Sequence, residues 1–72
     1  MDTTTFRILD TISAGLGKSY SINQLTKEIK ERHGTAHYVN IYKKLHDLER
    51  QQILELNKIG KSFIVRLNFH NY

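Results

Sequence analysis

Seventy-two residues leave room for one small domain, spanning 1–72, and the absence of cysteine excludes disulfide staples and thiolate metal sites. Eleven lysines and arginines against seven acidic residues give a net charge of +4, a balance that favours a polyanionic partner. No apolar run approaches the ~20 residues of a membrane span, and MDTTTF has neither the basic start nor the apolar core of a secretory signal, so a cytoplasmic chain with no membrane partner is expected.

The first predicted element is a helix. Asp2 and the threonines at 3, 4 and 5 offer N-caps, and Phe6, Ile8, Leu9 and Ile12 follow at helical spacing. The helix should stop near 13–15, because Gly15-Leu16-Gly17 favours a turn, with Leu16 folding back as its last core residue. Lys18-Ser19-Tyr20 is short and extended. Ser21 then stands three residues before Gln24, the spacing of a capping box, in which hydroxyl and amide side chain each satisfy an orphan backbone donor. The second helix runs from Ile22 to about His33 and buries Ile22, Leu25 and Ile29. Lys27 and Glu31 form an i, i+4 pair on its outer side, and Gly34 suits a left-handed C-terminal residue.

Thr35 is the expected N-cap of a third helix over 36–51, around which the other elements are organised. Ile41, Leu45, Leu48 and Gln52 recur at spacings of four, three and four, and Tyr38 extends that stripe toward the N-terminus. The opposite side carries His37, Asn40, Lys43 and Lys44, with Val39 and Tyr42 at its edges. No acidic residue occurs between Glu31 and Asp47. Long basic and amide side chains near a helix N-terminus reach phosphates and base edges in a major groove, although a solvated basic face has the same composition. So short a connection between the second and third helices implies a steep crossing, as in a helix-turn-helix.

Beyond Gln52 the period changes to two. Ile53 to Asn57 alternates, as does Phe63 to Phe69, around Lys58-Ile59-Gly60-Lys61, which reads as a β-hairpin. The two-residue loop is either Ile59-Gly60 or Gly60-Lys61, and both keep Leu54, Leu56, Val65 and Leu67 on one face. Past Glu55 only basic charges remain, Lys58, Lys61 and Arg66, so the hairpin is basic, most of all at its tip.

Neither a metal site nor an enzyme is expected. His33 and His37 are separated by a helix end, and His46 and His70 have no acidic or Cys partner at ligand spacing. Gly15-Leu16-Gly17-Lys18-Ser19 lacks the spacing of a phosphate-binding loop, no carboxylate pair shares an evident cleft, and the chain offers little volume for a pocket. No cofactor and no small-molecule ligand are therefore expected.

The order helix, extended piece, helix, tight turn, helix, hairpin, with the pattern SINQLTKEIKERHGTAHYVNIYKKLHDLERQQIL, resembles the winged helix-turn-helix family of DNA-binding domains. The resemblance covers residues 5 to 69. Its best marker is Leu45-x-x-Leu48-Glu49-x-x-x-Ile53, similar to the family's helix end before the first wing strand, where the family commonly has Gly in place of Gln52. The resemblance implies an α+β, mainly α, fold of three helices plus a C-terminal hairpin wing, and duplex DNA binding by a transcriptional regulator. It implies that 36–51 enters the major groove and that 58–62 touches the backbone or minor groove. His37, Asn40, Lys43 and Lys44 would then read bases or phosphates, with Tyr38 and Tyr42 secondary. Ser21 and Asn23 would hold a phosphate at the second helix, and Lys58, Lys61 and Ser62 would do so from the wing. Each has a plainer reading: a solvated Asn40, partly buried tyrosines, lysines that protect an edge strand. A homodimer on a two-fold site is expected, joined through the Phe6 helix or the segment 69–72. The alternative function is a protein-interaction module, such as the N-terminal domain of a larger protein.

Overall fold

A computed structural model describes residues 2–15 and 17–68 of the chain. Its elements run α1 (Thr3–Ala14), β1 (Tyr20–Ser21), α2 (Ile22–His33), α3 (Tyr38–Arg50), β2 (Leu54–Ile59) and β3 (Ser62–Leu67). The fold is α+β with more helix than strand: three helices and one antiparallel sheet in the order β1-β3-β2. Leu16 and the segment 69–72, proposed above for the core and for self-association, lie outside the described residues.

The capping chemistry read from the sequence starts the first two helices. Asp2 accepts the Thr5 amide at 2.7 Å and caps α1. At α2, Ser21 Oγ accepts the Gln24 amide at 3.1 Å while Gln24 Oε1 accepts the Ser21 amide at 3.2 Å, and Gly34 closes the helix in the left-handed region. The hairpin takes the second of its two open registers. Ile59 pairs with Ser62, which leaves Gly60-Lys61 as the loop and Gly60 at φ 61°. Glycine at the first loop position with positive φ matches the twist of the flanking strands.

One core joins all six elements. Ile8 and Ile12 from α1 meet Ile22, Leu25 and Ile29 from α2, Ile41, Leu45 and Leu48 from α3, Leu54 and Val65 from the hairpin, and Tyr20 from β1. Tyr20 is the member that periodicity does not reveal. It pairs with Val65 and makes the short extended piece a third strand. A Cβ at Gly15 would overlap the Tyr20 hydroxyl, so this glycine is required by close approach. Burial, reinforced by the Glu28 carboxylate, raises the Tyr20 pKa.

Several expectations are corrected. Helix α3 starts at Tyr38, and residues 35–37 are not helical; His37 occupies the N-cap with no side-chain hydrogen bond, and Thr35 is not the cap. Ala36 packs against the core, which draws the chain across the end of the bundle before the helix begins. Tyr38 does not continue the buried stripe and is 44% exposed. Phe6 is 56% exposed, because Ile8 and Ile12 already fill the side of α1 that meets the core. Gln52 is exposed as well, and its role is in the backbone. The Ile53 amide donates to the Leu48 carbonyl at 3.0 Å and the Gln52 amide to the Glu49 carbonyl at 2.9 Å. Those are the paired bonds of a Schellman helix end, with Gln52 at φ 63° in the position that usually carries glycine.

Candidate nucleic-acid interface

A helix with Ile41, Leu45 and Leu48 in the core turns Val39, Lys43 and Arg50 directly outward, since its residues advance by 100° each. Val39, at 60% exposure, Asn40 and Lys43 are all open to solvent. The two flanks of α3 are defined by their neighbours. On one, Lys44 Nζ lies 2.7 Å from Asp2 at the start of α1. On the other, Tyr42 and His46 face the hairpin through Phe63.

The hairpin flank is an aromatic ladder. Tyr38 stacks on Tyr42 at 6.1 Å between centroids, and Tyr42 meets His46 edge-on at 4.5 Å, each pair four residues apart on the helix. Phe63 of β3 closes the cluster, 6.4 Å from Tyr42 and 5.7 Å from His46. Lys58 is the cross-strand partner of Phe63 and shares its side of the sheet, the side that carries Leu54 and Leu56. Glu49 adds a polar tie, its Oε2 accepting the Leu56 amide at 3.2 Å. Its Oε1 lies 4.0 Å from His46 Nδ1. His46, whose Nε2 is buried without a hydrogen-bond partner, therefore works as a packing residue between helix and hairpin. Among the described residues, no three His, Cys, Asp or Glu side chains converge on a point that could hold a metal.

Ion pairing separates lysines that look equivalent in sequence. Lys44 is engaged by Asp2, whose carboxyl is held well below the usual carboxylate range by that lysine and by the Thr5 amide. Arg50 pairs with Asp47. No ion pair engages Lys43, Lys58 or Lys61 among the described residues. The available positive charge of this surface is thus Lys43 at the centre of α3 and Lys58 and Lys61 at the hairpin end.

The predicted residues divide accordingly. Tyr38, Asn40, Tyr42 and Lys43 share the outer and hairpin-facing sides of α3, and Lys58, Lys61 and Ser62 cluster at the turn of the hairpin that packs beside it. His37 is exposed just before the helix. Lys44 faces α1. Ser21 uses its hydroxyl in its own cap and pairs with Ile64 across β3 from β2, while Asn23 is exposed in the first turn of α2. Two residues outside the predicted set matter here. Val39 is the most exposed large apolar side chain of α3, and Phe63 seats the hairpin. Helical spacing already placed Val39 off the core stripe, whereas nothing local marks Phe63.

Across the described residues, no helix is long and apolar enough to cross a membrane. Comparison with protein-family models, with curated proteins and with solved structures gives no match.

Proposed function

We propose that this chain is a winged-helix protein that binds duplex DNA selectively, as a small transcriptional regulator. The observation that carries the reading is the uncovered outer side of α3, free of acidic residues through its first half and bearing an unpaired Lys43, beside a hairpin with two further unpaired lysines at its end. An α-helix fits the major groove, and a basic hairpin beside it suits the neighbouring backbone or minor groove. In this reading His37, Asn40, Tyr38 and Tyr42 meet base edges, Asn40 from the flank it shares with Lys44 and the two tyrosines from the hairpin flank, and Lys43, Lys58, Lys61 and Ser62 take phosphates. Asn23 and the first amides of α2 lie against the strand that the second helix crosses. Lys44 is reassigned to holding α1 on α3. A dimer on a two-fold site would supply affinity that one small domain lacks, and the exposed Phe6 on α1 offers a contact for it.

The test is binding to a randomised duplex pool, then affinity across salt concentrations for the wild-type chain, Lys43→Ala and Lys44→Ala. Lys43→Ala should reduce the slope of log affinity against log salt by about 1, the signature of one lost phosphate contact. Lys44→Ala should leave that slope in place and lower thermal stability. Absence of duplex binding at low salt would sink the proposal. It would favour a protein-interaction module, a reading supported by the exposed Phe6 and Ile59, the latter at 64%.

A further inference from the structure

Val39 and Asn40 are consecutive and both exposed. Val39 is 60% exposed, and the Asn40 carboxamide has no hydrogen-bond partner among the described residues. A single exposed valine is ordinary on a protein surface. Here it stands opposite the core side of the helix, one turn before the unpaired Lys43, with a solvent-exposed carboxamide next to it. No acidic side chain lies on this half of the helix to repel a polyanion.

In a major groove an apolar side chain and a carboxamide have different complements. The only apolar group on a base edge there is the C5-methyl of thymine. A carboxamide, one acceptor and two donors in a plane, matches the N6 donor and N7 acceptor of adenine. We infer that Val39 and Asn40 make this surface select A·T base pairs, Val39 against a thymine methyl and Asn40 bidentate to an adenine. The inference rests on the duplex-binding reading above and names the bases that the reading leaves open. Lys43, one turn on, anchors the helix on the phosphates so that both side chains reach the base edges.

Selection from a randomised duplex pool with the wild-type chain, Val39→Ser and Asn40→Ala tests this. It is followed by affinity for the selected duplex with each thymine replaced in turn by uracil, which deletes the methyl group alone. Both substituted positions are exposed, so both variants should keep the wild-type melting temperature. The wild-type pool should yield a motif, or half-site, enriched in A·T pairs. One uracil replacement should weaken wild-type binding about threefold to fivefold, the worth of one methyl group, and leave Val39→Ser unaffected. Asn40→Ala should lose about tenfold preference for adenine at one position. Duplex binding with a motif made of G·C pairs, with no enrichment, or with wild-type affinity indifferent to every uracil replacement would overturn the inference and leave duplex binding standing. No duplex binding at low salt would overturn both.

Discussion

Gln52 holds a left-handed backbone, φ 63°, just past the C-cap of α3. A Cβ in that region crowds the neighbouring carbonyl, which is why helix ends of this kind usually carry glycine. The turn is kept because two backbone hydrogen bonds close it and Leu54 must enter the core two residues later. Gln52→Gly should therefore raise the unfolding free energy by about 0.5–1 kcal/mol. Urea melts read this directly, and a loss of stability would show that contacts of the Gln52 side chain outweigh the backbone cost. Lys43 and Lys44 differ as sharply in their surroundings. They are identical and adjacent, yet one is open to solvent and the other is bound to Asp2, because successive helical positions point to different neighbours.

Between elements, the join of α3 to the hairpin decides whether the lysines at the turn stand beside the helix or away from it. Beside the shared core of Leu45, Leu48, Leu54 and Val65, it is held by the Phe63 ring against Tyr42 and His46 and by the Glu49 carboxylate on the Leu56 amide. Strand β2 is an edge of the sheet, so that amide points off the ladder and the glutamate satisfies it. Glu49→Ala should cost about 1 kcal/mol, less than is usual for a bond to a charged group because the carboxylate is partly exposed. It should also speed hydrogen exchange at Leu56 selectively. Exchange at Leu56 equal to wild type would rule out this tie. The leucine-glutamate pair was legible in the sequence as a helix-end pattern, and its physical work on an edge amide emerged only with the strand in place.

Across the whole molecule, two carboxylates, one at the N-cap of α1 and one within it, bind α1 to the other helices. Asp2 reaches Lys44 of α3, and Asp10 reaches Arg32 at 3.1 Å and His33 at 3.0 Å at the end of α2. Arg32 is the main cause that lowers the Asp10 pKa below its ordinary 3.8, with His33 adding to it. A carboxylate depressed in the folded state stabilises it above the ordinary value and loses that contribution as pH falls through the folded value. The contribution of Asp10 should be fully present above the ordinary carboxylate range, and the melting temperature should fall as pH drops through and below that range. Asp10→Asn should remove part of that acid-induced fall, as thermal melts between neutral and strongly acidic pH would record. A fall of equal size in the variant would place the acid sensitivity elsewhere.

The sequence by itself determined the three helices, two of their caps, the hairpin and the parity that sends Leu54, Leu56, Val65 and Leu67 to one face. Each of these follows from interactions within a few residues: a hydroxyl on a nearby amide, a repeat of 3.6 or 2, a glycine in a tight turn. The basic, acid-free first half of α3 was legible for the same reason. Tertiary structure alone decided that Tyr20 joins Val65 as a third strand, that Tyr38 leaves the core stripe for a ladder ending on Phe63, that α3 begins at Tyr38, and that Lys44 is spent on Asp2. All four depend on partners distant in sequence or on the path into a shared core, and the pattern of one segment carries no record of what another brings beside it.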